Sequence, residues 1–185
     1  MGNFLNRFVE RSTLVRSLVF TAIFAVFFLL INFSPIGVAG LLEITGGANI
    51  LDFEVAFTFE RAFEVLYALG EDGRHFYLTR ILPLDFPFPA SVMLFGMGWI
   101  GLLLKHINTK ERYNLLLLPP VMFALFDWIE NVGIIVMLNN FPDLPVWAVW
   151  MSSVAGVIKY VSVPITLGVI AVLFVIFCIR RKKEA

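Results

Sequence analysis

LVRSLVFTAIFAVFFLLINFSPIGVAG, residues 14–40, decides how many times the chain crosses a bilayer, and with that its fold. The segment follows Arg7 and Arg11, carries Arg16 at its start and contains small residues at Gly37-Val38-Ala39-Gly40, an arrangement that imitates a cleaved secretory leader. Its apolar run is too long for that reading. A leader core is roughly 7–15 residues, whereas about 20 are needed to span hydrocarbon. The segment therefore reads as a retained helix, Leu14 to Val38, the first of four apolar spans.

The remaining spans are Leu84 to Leu104, Leu115 to Leu138 and Val157 to Ile179. Pro83, Pro87 and Pro89 make the entry to the second irregular, and Pro119 with Pro120 disturbs the start of the third. Trp147 and Trp150 suggest a short interfacial helix before the fourth, which stops at Arg180-Arg181-Lys182-Lys183. Composition agrees. Of 185 residues, 59% are hydrophobic, against roughly 45–50% in an ordinary soluble domain. The expected fold is thus an all-α integral membrane protein, a four-helix bundle forming a single membrane domain over residues 1–185. The 20 Phe residues suit lipid-facing helix surfaces.

Between the first two spans, residues 41–80 turn polar and acidic. Glu43, Asp52, Glu54, Glu60, Glu64, Glu71 and Asp72 face Arg61, Arg74 and Arg80. Gly46-Gly47 followed by Ile50 to Val55 suggests an extended strip. Thr58 is placed to cap a helix running to Leu69, with Gly70 as its stop. Phe59, Phe63, Leu66 and Leu69 recur at helical spacing, so this helix is expected to be amphipathic and to lie along the bilayer surface. A second short helix, Glu71 to Ile81, leads into the second span.

Basic residues mark one side. Arg7 and Arg11 precede the first span and Arg16 stands in its first turn, Lys105, Lys110 and Arg112 separate the second from the third, and four bases follow the last. The positive-inside bias selects cytoplasmic termini, a cytoplasmic Lys105 to Arg112 loop, and an extracytoplasmic 41–80 segment, as in a bacterial inner membrane.

Fourteen basic and fourteen acidic residues balance, so no overall field attracts nucleic acid. A single cysteine, Cys178, rules out internal disulfides and a thiol pair for redox chemistry or metal binding. His75 and His106 fall on opposite sides, so no metal site and no cofactor are expected.

The informative residues are charges where lipid should be. Asp127 and Glu130 share one helix face with Asn131 inside the third span. A charge near the bilayer centre costs roughly 2.5–3.5 kcal/mol on insertion scales, so these acids require a partner, water or neutralisation. Ser152, Gly156, Lys159, Ser162 and Thr166 recur at three- and four-residue steps in and before the fourth span and make a small, polar stripe that belongs inside a bundle. Asn32 and Asp85 lie at similar depth. The candidate cluster is Asn32, Asp85, Asp127, Glu130, Asn131, Lys159 and Tyr160, with Lys159 neutralising Glu130 and Arg74 or Arg80 answering Asp85.

Several short strings, Leu69-Gly70-Glu71-Asp72-Gly73-Arg74 with Tyr77-Leu78, Asp85-Phe86-Pro87, Phe126-Asp127-Trp128-Ile129-Glu130-Asn131 and Ile158-Lys159-Tyr160, occur in order along the chain. In this respect the chain resembles a family of uncharacterised bacterial four-span membrane proteins. The resemblance implies the four-span arrangement and the recurring Asp, Asp-x-x-Glu-Asn and Lys set, and it implies no substrate. Pro89, two residues after Pro87, departs from the usual entrance string.

Three functions fit such a cluster. The leading expectation is a binding protein that holds a lipid or small amphiphile at the outer half of the bundle. Its rivals are a membrane enzyme whose paired carboxylates transfer protons on an apolar substrate, and a structural protein with a buried salt-bridge network. The catalytic residues are unknown at this level. The topology is directly testable: in a Cys178→Ser background, Glu71→Cys should react with an impermeant maleimide in intact cells, and Lys110→Cys only after lysis. The reverse pattern would invert the assigned orientation.

Overall fold

The computed structural model describes residues 2–107 and 110–184, with side chains described for 4–107 and 110–182. The middle of the Lys105 to Arg112 loop and the Lys183 side chain lie outside the described residues. The helices in chain order are α1 Gly2–Glu10, α2 Leu14–Phe33, α3 Val38–Thr45, α4 Phe59–Ala68, α5 Gly70–Phe76, α6 Leu82–Asp85, α7 Pro87–Ile107, α8 Leu118–Asn140 and α9 Val146–Glu184. Four helical stretches are long and apolar enough to cross a membrane: Leu14–Thr45, Gly70–Ile107, Glu111–Asn140 and Val146–Lys182. Those built on α7 and α8 are about half buried, while α2 and α9 turn most of their surface outward. Large apolar side chains such as Leu18, Val26, Leu29, Val161, Leu167 and Val175 are exposed on those outer helices, a surface suited to hydrocarbon rather than water.

Local chemistry sets the helix ends. Thr13 caps α2 by accepting from the Arg16 amide at 3.3 Å. The helix ends at Phe33 rather than at Val38, because Pro35 disfavours helical geometry at Ser34, which is extended. The chain resumes at once as α3, a helix the sequence reading did not anticipate. Thr58 caps α4 by accepting from the Arg61 amide, and Gly70, at φ +65, turns the chain where a Cβ would be strained. The expected extended strip at 50–55 is instead a 3₁₀ turn, Leu51–Phe53, and the described residues contain no strand. Leu51 is completely buried there, so an apolar anchor has overridden the alternating pattern.

The second span begins earlier and runs more continuously than expected. A π-helical segment, Tyr77–Ile81, joins α5 to α6, and α7 starts at Pro87. Pro119 and Pro120 occupy the first turn of α8, where the missing amide protons have no helical acceptor to lose. The separate interfacial helix at Trp147 and Trp150 does not form. Both residues belong to α9, which runs 39 residues as one helix through Pro164 and past the basic stop. Pro164 deprives the Tyr160 carbonyl, one turn earlier, of its helical donor.

The helices enclose two apolar cores. One, at the acidic end, joins Leu41, Leu51, Leu66, Tyr77, Ile134 and Met137. The apolar face of α4 is therefore packed on protein, with Ala62, Val65 and Leu66 buried, rather than laid along a bilayer surface. Burying a Leu of this kind contributes about 1.5–3 kcal/mol. On its solvent side, the Glu54 carboxylate 2.6 Å from Arg61 holds that guanidinium above its usual range. The second core, at the basic end, joins Leu5 of α1 to Ile100, Leu104 and Leu117. Lys105 fastens α1 there by donating to the carbonyls of Glu10 at 2.7 Å and Ser12 at 3.0 Å.

α8 and α9 make the most extensive helix contact, along the small-residue stripe. A Cβ at Gly133 would collide with Ser152 Oγ and lie 3.0 Å from the Ala148 carbonyl. Gly133→Val should therefore force the two helices apart and destabilise the protein by roughly 1–3 kcal/mol, read as a lower unfolding temperature in detergent; unchanged stability would contradict the close approach.

Candidate functional site

Lys159 lies at the centre of the acidic end. It projects from α9 between helices that cannot hydrate it, and only 6% of its surface is exposed. Its ammonium is paired with Glu130, lies 3.0 Å from Asp127 Oδ1 and lies 3.8 Å from Asp52 Oδ1. Glu130 is fully buried and Asp127 is 3% exposed. Helical spacing explains the convergence from α8, since residues three and four apart share a face. Asn131, on the same face, donates from Nδ2 to Asp85 Oδ2 at 2.7 Å and so brings in α6. Small neighbours make room: a Cβ on Gly156 would come 2.8 Å from Glu130 Oε1, and Ser152 donates to the Glu130 carbonyl at 3.0 Å.

Asp52 was not among the residues singled out from the sequence, yet it ties residues 41–80, the cap at the acidic end, to the bundle. Its carboxylate accepts from the Tyr77 hydroxyl, and its carbonyl accepts from the Tyr160 hydroxyl at 2.9 Å. A second tie lies nearby, where the Phe57 amide donates to Ser153 Oγ at 3.0 Å. The local signal was an acid set between apolar residues, Ile50-Leu51-Asp52-Phe53, in a segment otherwise rich in solvated acids.

The structure brings together Asp85, Asp127, Glu130, Asn131, Lys159 and Tyr160, with Asn32 on the wall of the same cavity. Asn32 donates to its own helix, to the Phe28 carbonyl at 2.8 Å. Arg74 and Arg80 are elsewhere. Arg74 donates to the Leu66 carbonyl at 3.0 Å and stacks 4.0 Å from the Phe141 ring, holding the cap instead of answering Asp85. Arg80 is exposed and forms no ion pair among the described residues.

Beside this cluster is a cavity of about 480 Å³, partly open to its surroundings. Asp52, Asp85, Asp127, Lys159 and Tyr160 form its polar end, and Phe24, Phe28, Phe88, Phe95 and Phe123 supply most of its aromatic wall. Phe24 and Phe95 stack with centroids 5.1 Å apart. Several of the abundant Phe residues thus line this cavity. α2 packs along α7, fixed by Ser17 Oγ donating to the Gly98 carbonyl at 2.9 Å and by Trp99 Nε1 donating to Thr21 at 3.0 Å. It makes no extended contact with α9, and the cavity lies between them.

Electrostatically the cluster is unbalanced. Four carboxyl groups, those of Asp52, Asp85, Asp127 and Glu130, face one ammonium. Asp127 Oδ2, Glu130 Oε1 and Asn131 Oδ1 are buried without a hydrogen-bond partner among the described residues. Buried acceptors are seldom left without a partner in a network that serves packing alone. Removing Lys159 should be severe, because it leaves buried carboxyls uncompensated: Lys159→Met is expected to cost about 3–5 kcal/mol, measured by unfolding in detergent. Adding Glu130→Leu should recover only part of that loss, since Asp127 and Asp52 stay unpaired, and full recovery would show that the Glu130 pair alone matters.

No family model, curated protein or solved structure matches the chain.

Proposed function

We propose that the chain is a multi-pass protein of a bacterial inner membrane that binds a lipid or small amphiphile, with its termini cytoplasmic and its acidic, capped end outward. The observation that carries this reading is the cavity: one end is charged, the rest is aromatic and aliphatic, and its volume of about 480 Å³ falls within the roughly 300–1,000 Å³ usual for small-molecule sites. A purely structural network has no use for such a space. It would also be expected to pair its buried acceptors, and Asp127 Oδ2 has no hydrogen-bond partner among the described residues.

A second reading rests on Asp127 and Asp85, which line the cavity from α8 and α6. Two carboxyls at the polar end of one cavity suit removal of a proton from one carbon of an apolar substrate and its return to another, an isomerisation that needs no co-reactant. Glu130 does not line the cavity and is displaced from that role.

Both readings require occupancy. The amphiphile that co-purifies in nanodiscs, identified by mass spectrometry, should be lost on Val92→Trp, which fills the cavity from α7. An unchanged complement of bound lipid would overturn the site. Incubating the identified compound with the protein in deuterated water then separates binding from turnover, since deuterium enters its carbon skeleton only if the carboxyls transfer protons.

A further inference from the structure

The cavity's charge bias selects among headgroups, and this step rests on the amphiphile-binding reading. Lys159 is the one cation among the residues lining the cavity, and its ammonium is already engaged by Glu130, Asp127 and Asp52. A phosphate, sulfate or carboxylate head entering the polar end would find no free cation, and would sit against three carboxyls from three different elements: Asp52 of the 3₁₀ turn, Asp85 of α6 and Asp127 of α8. An anion placed away from water against Asp52 and Asp127, the cavity carboxyls that already share the Lys159 ammonium, is strongly disfavoured. A neutral head leaves the carboxyl surplus as it stands. A positive head answers it, and gives the buried Asp127 Oδ2 a partner that it lacks among the described residues.

The wall supports the same choice. Phe24, Phe28 and Phe88 line the same cavity as the carboxyls, together with Tyr160, whose ring centroid is 5.4 Å from the Lys159 ammonium. Aromatic faces attract ammonium and quaternary ammonium groups and have no comparable attraction for anions. We infer that the site takes a cationic amphiphile, an amine or quaternary ammonium head on an apolar tail, with the head among Asp52, Asp85 and Asp127 and the tail along the Phe-lined wall between α2 and α9.

Three photoreactive probes sharing one diazirine-bearing alkyl tail test this: an alkylamine, an alkyl alcohol and an alkyl sulfate. Each is added to the full chain in phosphatidylcholine nanodiscs, irradiated, and mapped by peptide mass spectrometry. The amine should label cavity-wall residues at least tenfold more than the alcohol, with the sulfate lowest, and unlabelled alkylamine should compete. Equal labelling by the alcohol, or stronger labelling by the sulfate, overturns the cationic assignment while leaving an amphiphile site in place. No labelling of the cavity by any probe overturns both. Asp85→Asn removes a carboxyl that forms no ion pair and can still accept from Asn131, so it should reduce the amine's advantage at least threefold. An undiminished advantage in a variant that unfolds at the unsubstituted temperature counts against the assignment. Asp52→Asn provides the same reading should Asp85→Asn fail to fold.

Discussion

One ammonium group organises the acidic half of this protein. Lys159 is placed where no water can reach it in quantity, and a charge so placed must be surrounded by opposite charge or the helix bearing it would not stay there. The requirement reaches outward through the structure. Glu130 and Asp127 must share a face of α8, Gly156 and Ser152 must be small enough for α8 to come close, and the 3₁₀ turn must fold back so that Asp52 reaches the same point. The Tyr77 and Tyr160 hydroxyls then hold that turn from the π segment and from α9. Cap and bundle are therefore one electrostatic unit, although more than a hundred residues separate Asp52 from Lys159.

The two ends of the molecule are built on different principles. At the basic end α1 rests on an ordinary apolar core, fastened by Lys105 and by the Asn114 to Asn6 hydrogen bond of 2.7 Å. Among the described residues its arginines and lysines lie on the periphery, and none of them is buried. At the acidic end the apolar core surrounds a charged cluster larger than its own pairing requires. A protein needing only stability would gain by replacing such a cluster with well-packed apolar residues. The excess of carboxyls, the orphaned acceptors and the adjoining cavity are features that stability alone does not account for.

The sequence revealed most where energetic penalties are largest. Asp127, Glu130 and Lys159 stood out because a charge within an apolar span is costly, and their spacing specified the faces involved. The small stripe from Ser152 to Thr166 was legible for the same reason, and Ser152, Gly156, Lys159, Ser162 and Thr166 are all buried. Asp52 was hidden because an acid in a polar segment costs nothing until the chain folds, and its partners lie in distant elements. Arg74 and Arg80 were misassigned by proximity along the chain: Arg74 found a carbonyl and an aromatic ring, while Arg80 stayed in the open. Helix continuity was misread at α9, where Trp147 and Trp150 suggested a surface break. The end of α2 was placed five residues late because the apolar run outlasts the geometry that Pro35 permits.

The separation between α2 and α9 has a kinetic and thermodynamic meaning of its own. If the proposed amphiphile enters between these two helices, it competes with hydrocarbon and not with water for the cavity. Transfer from one apolar phase to another releases little free energy, and the aromatic wall would add little to affinity by burial alone. Discrimination then falls on the polar end, where the few groups around Lys159 meet a head that has left the interface. Saturation would follow the mole fraction of the ligand among its neighbours in the leaflet, making the site a gauge of membrane composition.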